Sequence, residues 1–141
     1  MQSEIYNAVN KLLGSLNVPA EIRASNESGD ADKLWCALQQ SGFLDVLVPE
    51  AEGGAGLGWA QAWEVLFAAG RYGLPMPVGA TMFGRALLAS LGQQAPDTAL
   101  TASGFVQQGE QGSLVARDLP AAKLAVHALV QDQDTAYLLS I

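Results

Sequence analysis

Cysteine is nearly absent from this sequence: Cys36 stands alone, so no disulfide can form within the chain. Histidine is equally scarce. His127 has no HExxH or CxxC companion, which excludes a zinc site of the usual kind and leaves His127 a structural residue of a strand. Positive charge is thin as well, with seven Lys and Arg against fourteen Asp and Glu and a net charge of −7. Without a basic cluster to neutralise phosphates, nucleic-acid binding is excluded. The same shortage means that polyanions such as coenzyme A or a flavin pyrophosphate must find most of their cationic contacts outside this chain. No apolar run reaches membrane-span length, and the start MQSEIYNAVNKLL lacks the basic leader and small-residue cleavage site of a signal peptide. The expectation is a soluble, cytoplasmic protein that does not bind membranes.

Nucleotide motifs are lacking too. The string GATMFGRA has two glycines of a phosphate-binding loop, but Arg85 and Ala86 replace its Lys and Ser/Thr. The glycines after Pro49 do not fit GxGxxG, since Trp59 stands where the last glycine belongs. Asp30 with Asp32 and Asp132 with Asp134 lack the glycine and distal glutamate of a calcium loop, and read as a helix cap and a turn.

What remains is half hydrophobic and 15% charged over 141 residues, enough for one folded domain with a core. Its organising stretch is residues 43–71. An apolar run of Leu44, Val46, Leu47 and Val48 is closed by Pro49. Gly53, Gly54, Gly56 and Gly58 then form a permissive loop. A helix follows from Trp59, whose Trp63, Leu66, Phe67 and Gly70 fall at the spacing of one buried face. Trp59, Trp63 and Phe67 are expected in the core rather than lining a cavity, with Glu64 facing solvent.

Around this stretch, the stripe Ile5, Val9, Leu12, Leu13 and Leu16 predicts a helix over 4–16, capped by Ser3 and ended by Pro19. Residues 21–29 read as a polar loop. A second helix, capped by Asp30, buries Leu34, Ala37 and Leu38, keeps Trp35 at its margin and stops at Gly42. The helix from Trp59 ends at Gly73. A fourth helix over 78–91 should bury Met82, Phe83, Ala86, Leu87 and Leu91, with Gly92 as its stop and Gly79 and Gly84 weakening it. Strands are expected near 99–106, 113–118, 124–130 and 135–141, the last pair joined by a turn at Gln131, Asp132, Gln133 and Asp134. The class is α+β: about four helices over 1–95, then a few antiparallel strands of a partial barrel over 96–141.

The order Gly42, Phe43, Leu44, Val48, Pro49, Glu50, Gly53, Gly54, Gly56 resembles the "VPE…GG.G" segment of the acyl-CoA dehydrogenase family. Leu34, Trp35 and Leu38 extend the likeness upstream, as do Gly70, Arg71, Leu74, Pro75 and Pro77 downstream. The resemblance implies a helical N-terminal domain, the start of a middle β-barrel, and a parent that dehydrogenates an acyl-CoA at its α,β bond with FAD. It implies no catalytic residue here, because the family's glutamate base lies in a later helical bundle, so Glu50, Glu52 and Glu64 take no such role. It places Thr81, Met82 and Arg85 in the wall of the acyl pocket, with Gly53 and Gly54 at its rim. The family's Thr-Glu-Pro-x-x-Gly-Ser-Asp flavin segment is not found. A non-catalytic subunit paired with an active dehydrogenase is therefore the alternative. The apolar ending TAYLLSI and the open edges of four short strands lead us to expect an excised piece or a homo- or hetero-oligomer, inactive alone.

Overall fold

A computed structural model describes residues 3–28, 31–103, 106–119, 121, 123–132 and 134–141. Among them the chain is α+β, with five α-helices ahead of two small open sheets and no closed barrel.

Helix α1 spans Glu4–Ser15, and the Ser3 hydroxyl accepts the Tyr6 N–H at 3.2 Å to cap it. It buries Val9 and Leu13. Pro19 does not follow a helix into a loop. It sits in the first turn of α2 (Val18–Ser28), where its missing N–H has no partner to lose. Asn17, at φ 47°, makes the left-handed link, and residues 21–28 are helix rather than loop. The sequence concealed α2 because its inward stripe is thin: Val18 and Ser25 are buried, and Ile22 only partly.

Helix α3 (Asp32–Ser41) buries Leu34 and Leu38, has no side-chain cap at Ala31, and ends at Gly42, whose φ of 76° is left-handed. The expected cap, Asp30, lies outside the described residues. Lys33 pairs with Glu21, tying α3 to α2.

Helix α4 (Trp59–Arg71) carries the main correction. Its buried residues are Ala62, Val65, Ala68 and Ala69, while Trp59, Trp63 and Phe67 are exposed and Gly70 lies open. Small side chains let α1 approach α4 closely, so the helix turns its narrow face inward and its aromatic stripe outward. Glu64, expected in solvent, is half-buried and accepts a hydrogen bond from the Ser3 hydroxyl.

Helix α5 (Val78–Ser90) is a wall shared by two layers. Val78 and Met82 enter the helical core with Leu13, Leu38, Leu44 and Val65, whereas Leu88 packs with Leu100 and Leu129 of the sheet. Phe83 and Leu91, expected inside, are exposed. The helix's glycines have a packing purpose: a Cβ at Gly84 would lie 3.1 Å from Leu100 Cδ1, and one at Gly79 3.2 Å from Leu66 Cδ2.

Beyond α5, β1 (Leu100–Ser103) pairs in parallel with β4 (His127–Asp132), which pairs antiparallel with β5 (Thr135–Ser140) in the register Val130↔Tyr137. A second hairpin joins β2 (Val106–Gln108) to β3 (Leu114–Ala116). The strand expected over 99–106 is thus two strands in different sheets, and one of the pairings is parallel.

Candidate functional site

The glycine bend is built from the backbone outward. Phe43–Asp45 forms a 3-10 turn that buries Leu44, and Val46 and Val48 follow it inward. Pro49, at φ −57° and ψ 148°, breaks the run, and a second 3-10 turn, Glu50–Glu52, ends at Gly53 with φ 86°. The chain then doubles back. The N–H groups of Ala55, Gly56 and Leu57 donate to the carbonyls of Asp45, Val48 and Val46 at 3.1, 2.8 and 2.8 Å. Gly54 sits where any side chain would collide, since a Cβ there would come within 2.1 Å of the Val48 carbonyl oxygen.

A cleft of about 560 Å³ opens beside this bend, lined among others by Asp45, Glu52, Gly53, Arg85, Gln93 and Asp97. Arg85 forms part of its wall from α5, only 3% of its side chain exposed. Its Nη1 donates to both Asp45 carboxylate oxygens at 3.0 and 3.1 Å, and its Nη2 to Gln39 Oε1 at 2.6 Å. Nε is buried and lacks a partner. Arg85 thereby clamps α5 to α3 and to the turn that begins the bend.

The five residues expected at the acyl pocket separate. Gly53 and Arg85 line the larger cleft, and Gly53 and Gly54 border a shallower hollow of about 310 Å³ with Phe43 and Leu57. Thr81 and Met82 line neither. Met82 belongs to the helical core. The Thr81 hydroxyl donates to the Leu100 carbonyl at 3.1 Å and accepts the Leu100 N–H at 3.0 Å, latching α5 to β1.

Asp45 and Gln39, the partners of Arg85, were not among the expected site residues. Asp45 did leave a signal, being a lone carboxylate within the run FLDVLV. His127 is half-buried in β4 with Nδ1 2.9 Å from the Thr98 hydroxyl. Among the described residues no group of three His, Cys, Asp or Glu side chains could hold a metal ion, and no helix is long and apolar enough to cross a membrane.

The cleft does not fit a flavin pyrophosphate or the phosphates of coenzyme A. Its one guanidinium is already neutralised by Asp45, and Glu52 and Asp97 would face a polyanion with like charge. No protein-family model matches the chain, and no curated protein or solved structure matches it significantly.

Proposed function

We propose that this chain is the helical leading lobe of an acyl-CoA dehydrogenase-like flavoenzyme, not catalytic alone, working in the cytoplasm. The observation that carries the reading is the construction of the glycine bend. Four of the residues that bear the family resemblance serve a backbone need at one place: Gly42 and Gly53 in left-handed turns, Pro49 as the break, Gly54 against the Val48 carbonyl. A segment so fully determined by its backbone suits a rim against which other protein parts, and an acyl thioester, are positioned. FAD and the phosphates of the substrate would be held by other parts of the assembly, since the acidic cleft offers them no free cation among its described lining.

That misfit, with the missing flavin motif, favours one second reading: a non-catalytic subunit that orders an active dehydrogenase chain. Purification of the native protein with whatever accompanies it separates the two. Flavin in the preparation, bleached anaerobically by short-, medium- or long-chain acyl-CoA, supports the proposal. Flavin held wholly by a different polypeptide supports the second reading. A preparation with no flavin that no acyl-CoA reduces overturns both.

A further inference from the structure

Charge sets the 560 Å³ cleft beside the glycine bend apart from the rest of the surface. Glu52 and Asp97 line it, both exposed and neither in an ion pair among the described residues. Asp45 lines it too. Arg85 holds both Asp45 carboxylate oxygens, yet 30% of that side chain stays exposed. The oxygens keep lone pairs for a further donor, and the buried guanidinium fixes where that donor must come. The C-terminal end of α5 borders the same space through Ala89 and Gly92. No basic residue in its last turn offsets the negative end of the helix dipole. With Arg85 set against Asp45, the charges of Glu52 and Asp97 are left without compensation in the cleft.

A group of carboxylates is often no more than a solvated face, but a second observation separates this one. Arg85 Nε has no acceptor, although the side chain is only 3% exposed. Leaving a buried donor unpaired is unfavourable. Nη1 and Nη2 already take up Asp45 and Gln39 on the protein side. The cleft that Arg85 helps to wall is the open side from which an oxygen can be supplied.

We infer that this cleft binds a small aliphatic amine that carries an amide or hydroxyl oxygen a few carbons from its ammonium group. The ammonium sits among Asp45, Glu52 and Asp97, and the oxygen answers Arg85 Nε. The carbon chain between them lies on Val48, Ala51 and Ala89. A volume of 560 Å³ is that of a small-molecule pocket. A divalent metal is the poorer occupant, since among the described residues no three His, Cys, Asp or Glu side chains come together to hold one. The site does not depend on the flavoenzyme assignment, because none of these groups is asked to touch flavin or thioester.

Heteronuclear NMR on the intact, isotope-labelled chain tests the inference, with γ-aminobutyramide as the probe. The amide resonances of Gly53, Gly92 and Gln93 should shift and saturate with a Kd of about 0.1–1 mM, the level that about seven non-hydrogen atoms reach. Butylamine, which lacks the oxygen, should bind at least about threefold more weakly. Butyramide, which lacks the charge, should leave these resonances unmoved at about 10 mM. Glu52→Gln combined with Asp97→Asn should raise Kd about tenfold. Glu27→Gln combined with Glu110→Gln removes the same charge from exposed positions outside the cleft and should bind as wild type. All four side chains are exposed, so both variants should keep the wild-type spectrum elsewhere. No saturating shift at about 20 mM overturns the inference. Equal weakening in the two double variants does so as well, by reducing the effect to the net charge of −7. Butylamine or butyramide binding as tightly as γ-aminobutyramide overturns it too. So does magnesium chloride that moves the same amides with a Kd below about 1 mM, which would make the cleft a metal site.

Discussion

The Arg85–Asp45 pair should respond asymmetrically to the loss of either partner. The guanidinium is buried, 3% exposed, whereas the carboxylate keeps 30% of its side-chain surface in water. Asp45→Ala strands a buried cation whose Nε already lacks a partner, leaving it only the Gln39 contact. Breaking a buried pair so that one charge stays uncompensated costs about 3–5 kcal/mol. Arg85→Met keeps most of the buried stem and strands a carboxylate that water can reach, so about 1–2 kcal/mol is lost, mainly through Gln39 and the missing attraction. Urea unfolding followed by circular dichroism reads the difference directly. With a slope near 1.5–2 kcal/mol per molar, the midpoint should fall by about 2 M for Asp45→Ala and by under about 1 M for Arg85→Met. Equal losses, or a larger one for Arg85→Met, would refute the reasoning that burial of the surviving charge sets the penalty.

Four further outcomes follow from the geometry. Gly54→Ala should destabilise by about 3 kcal/mol or more, because its Cβ would meet the Val48 carbonyl. Gly53→Ala, with nothing within 4 Å but φ at +86°, should cost about 1 kcal/mol in the same urea assay, and a reversed order would count against the bend described above. Thr81→Val should lose about 2 kcal/mol by leaving both backbone groups of Leu100 unpaired, and should speed hydrogen exchange at the Leu100 amide ahead of global unfolding. Ser3→Ala should lower stability by about 1 kcal/mol, read from the thermal midpoint, through the cap of α1 and the bond to Glu64.

Much of the fold was legible because turn residues carry their own geometry. Gly42, Gly53, Gly73 and Gly92 fall where a positive φ ends a helix or turn, and the sequence marked each. Helix α2 was not legible, since Pro19 can end one helix or begin the next and only the space between α1 and α3 decides. The facing of α4 failed for a different reason. Trp59, Trp63 and Phe67 share their helical period with Ala62, Val65, Ala68 and Ala69, and hydrophobicity favours the larger set as core. Close helix contact favours the smaller set, and volume is not visible in a pattern of polarity. Of the candidate site, Arg85 was found but its role was not: its partners Gln39 and Asp45 lie 46 and 40 residues away along the chain. The β region was read as strands but not as a topology, because the parallel register of β1 with β4 depends on a long crossover rather than on local sequence.

Helix α5 has opposite faces committed to different hydrophobic clusters, with Met82 on one side and Leu88 and Gly84 on the other. Neither layer therefore owns a complete boundary. Exchanging the β layer for another would require recutting the back of a helix whose front must stay as it is, so the two halves are obliged to change together. A chain divided between residues 95 and 96 would leave one half with a bare leucine surface and the other without a floor.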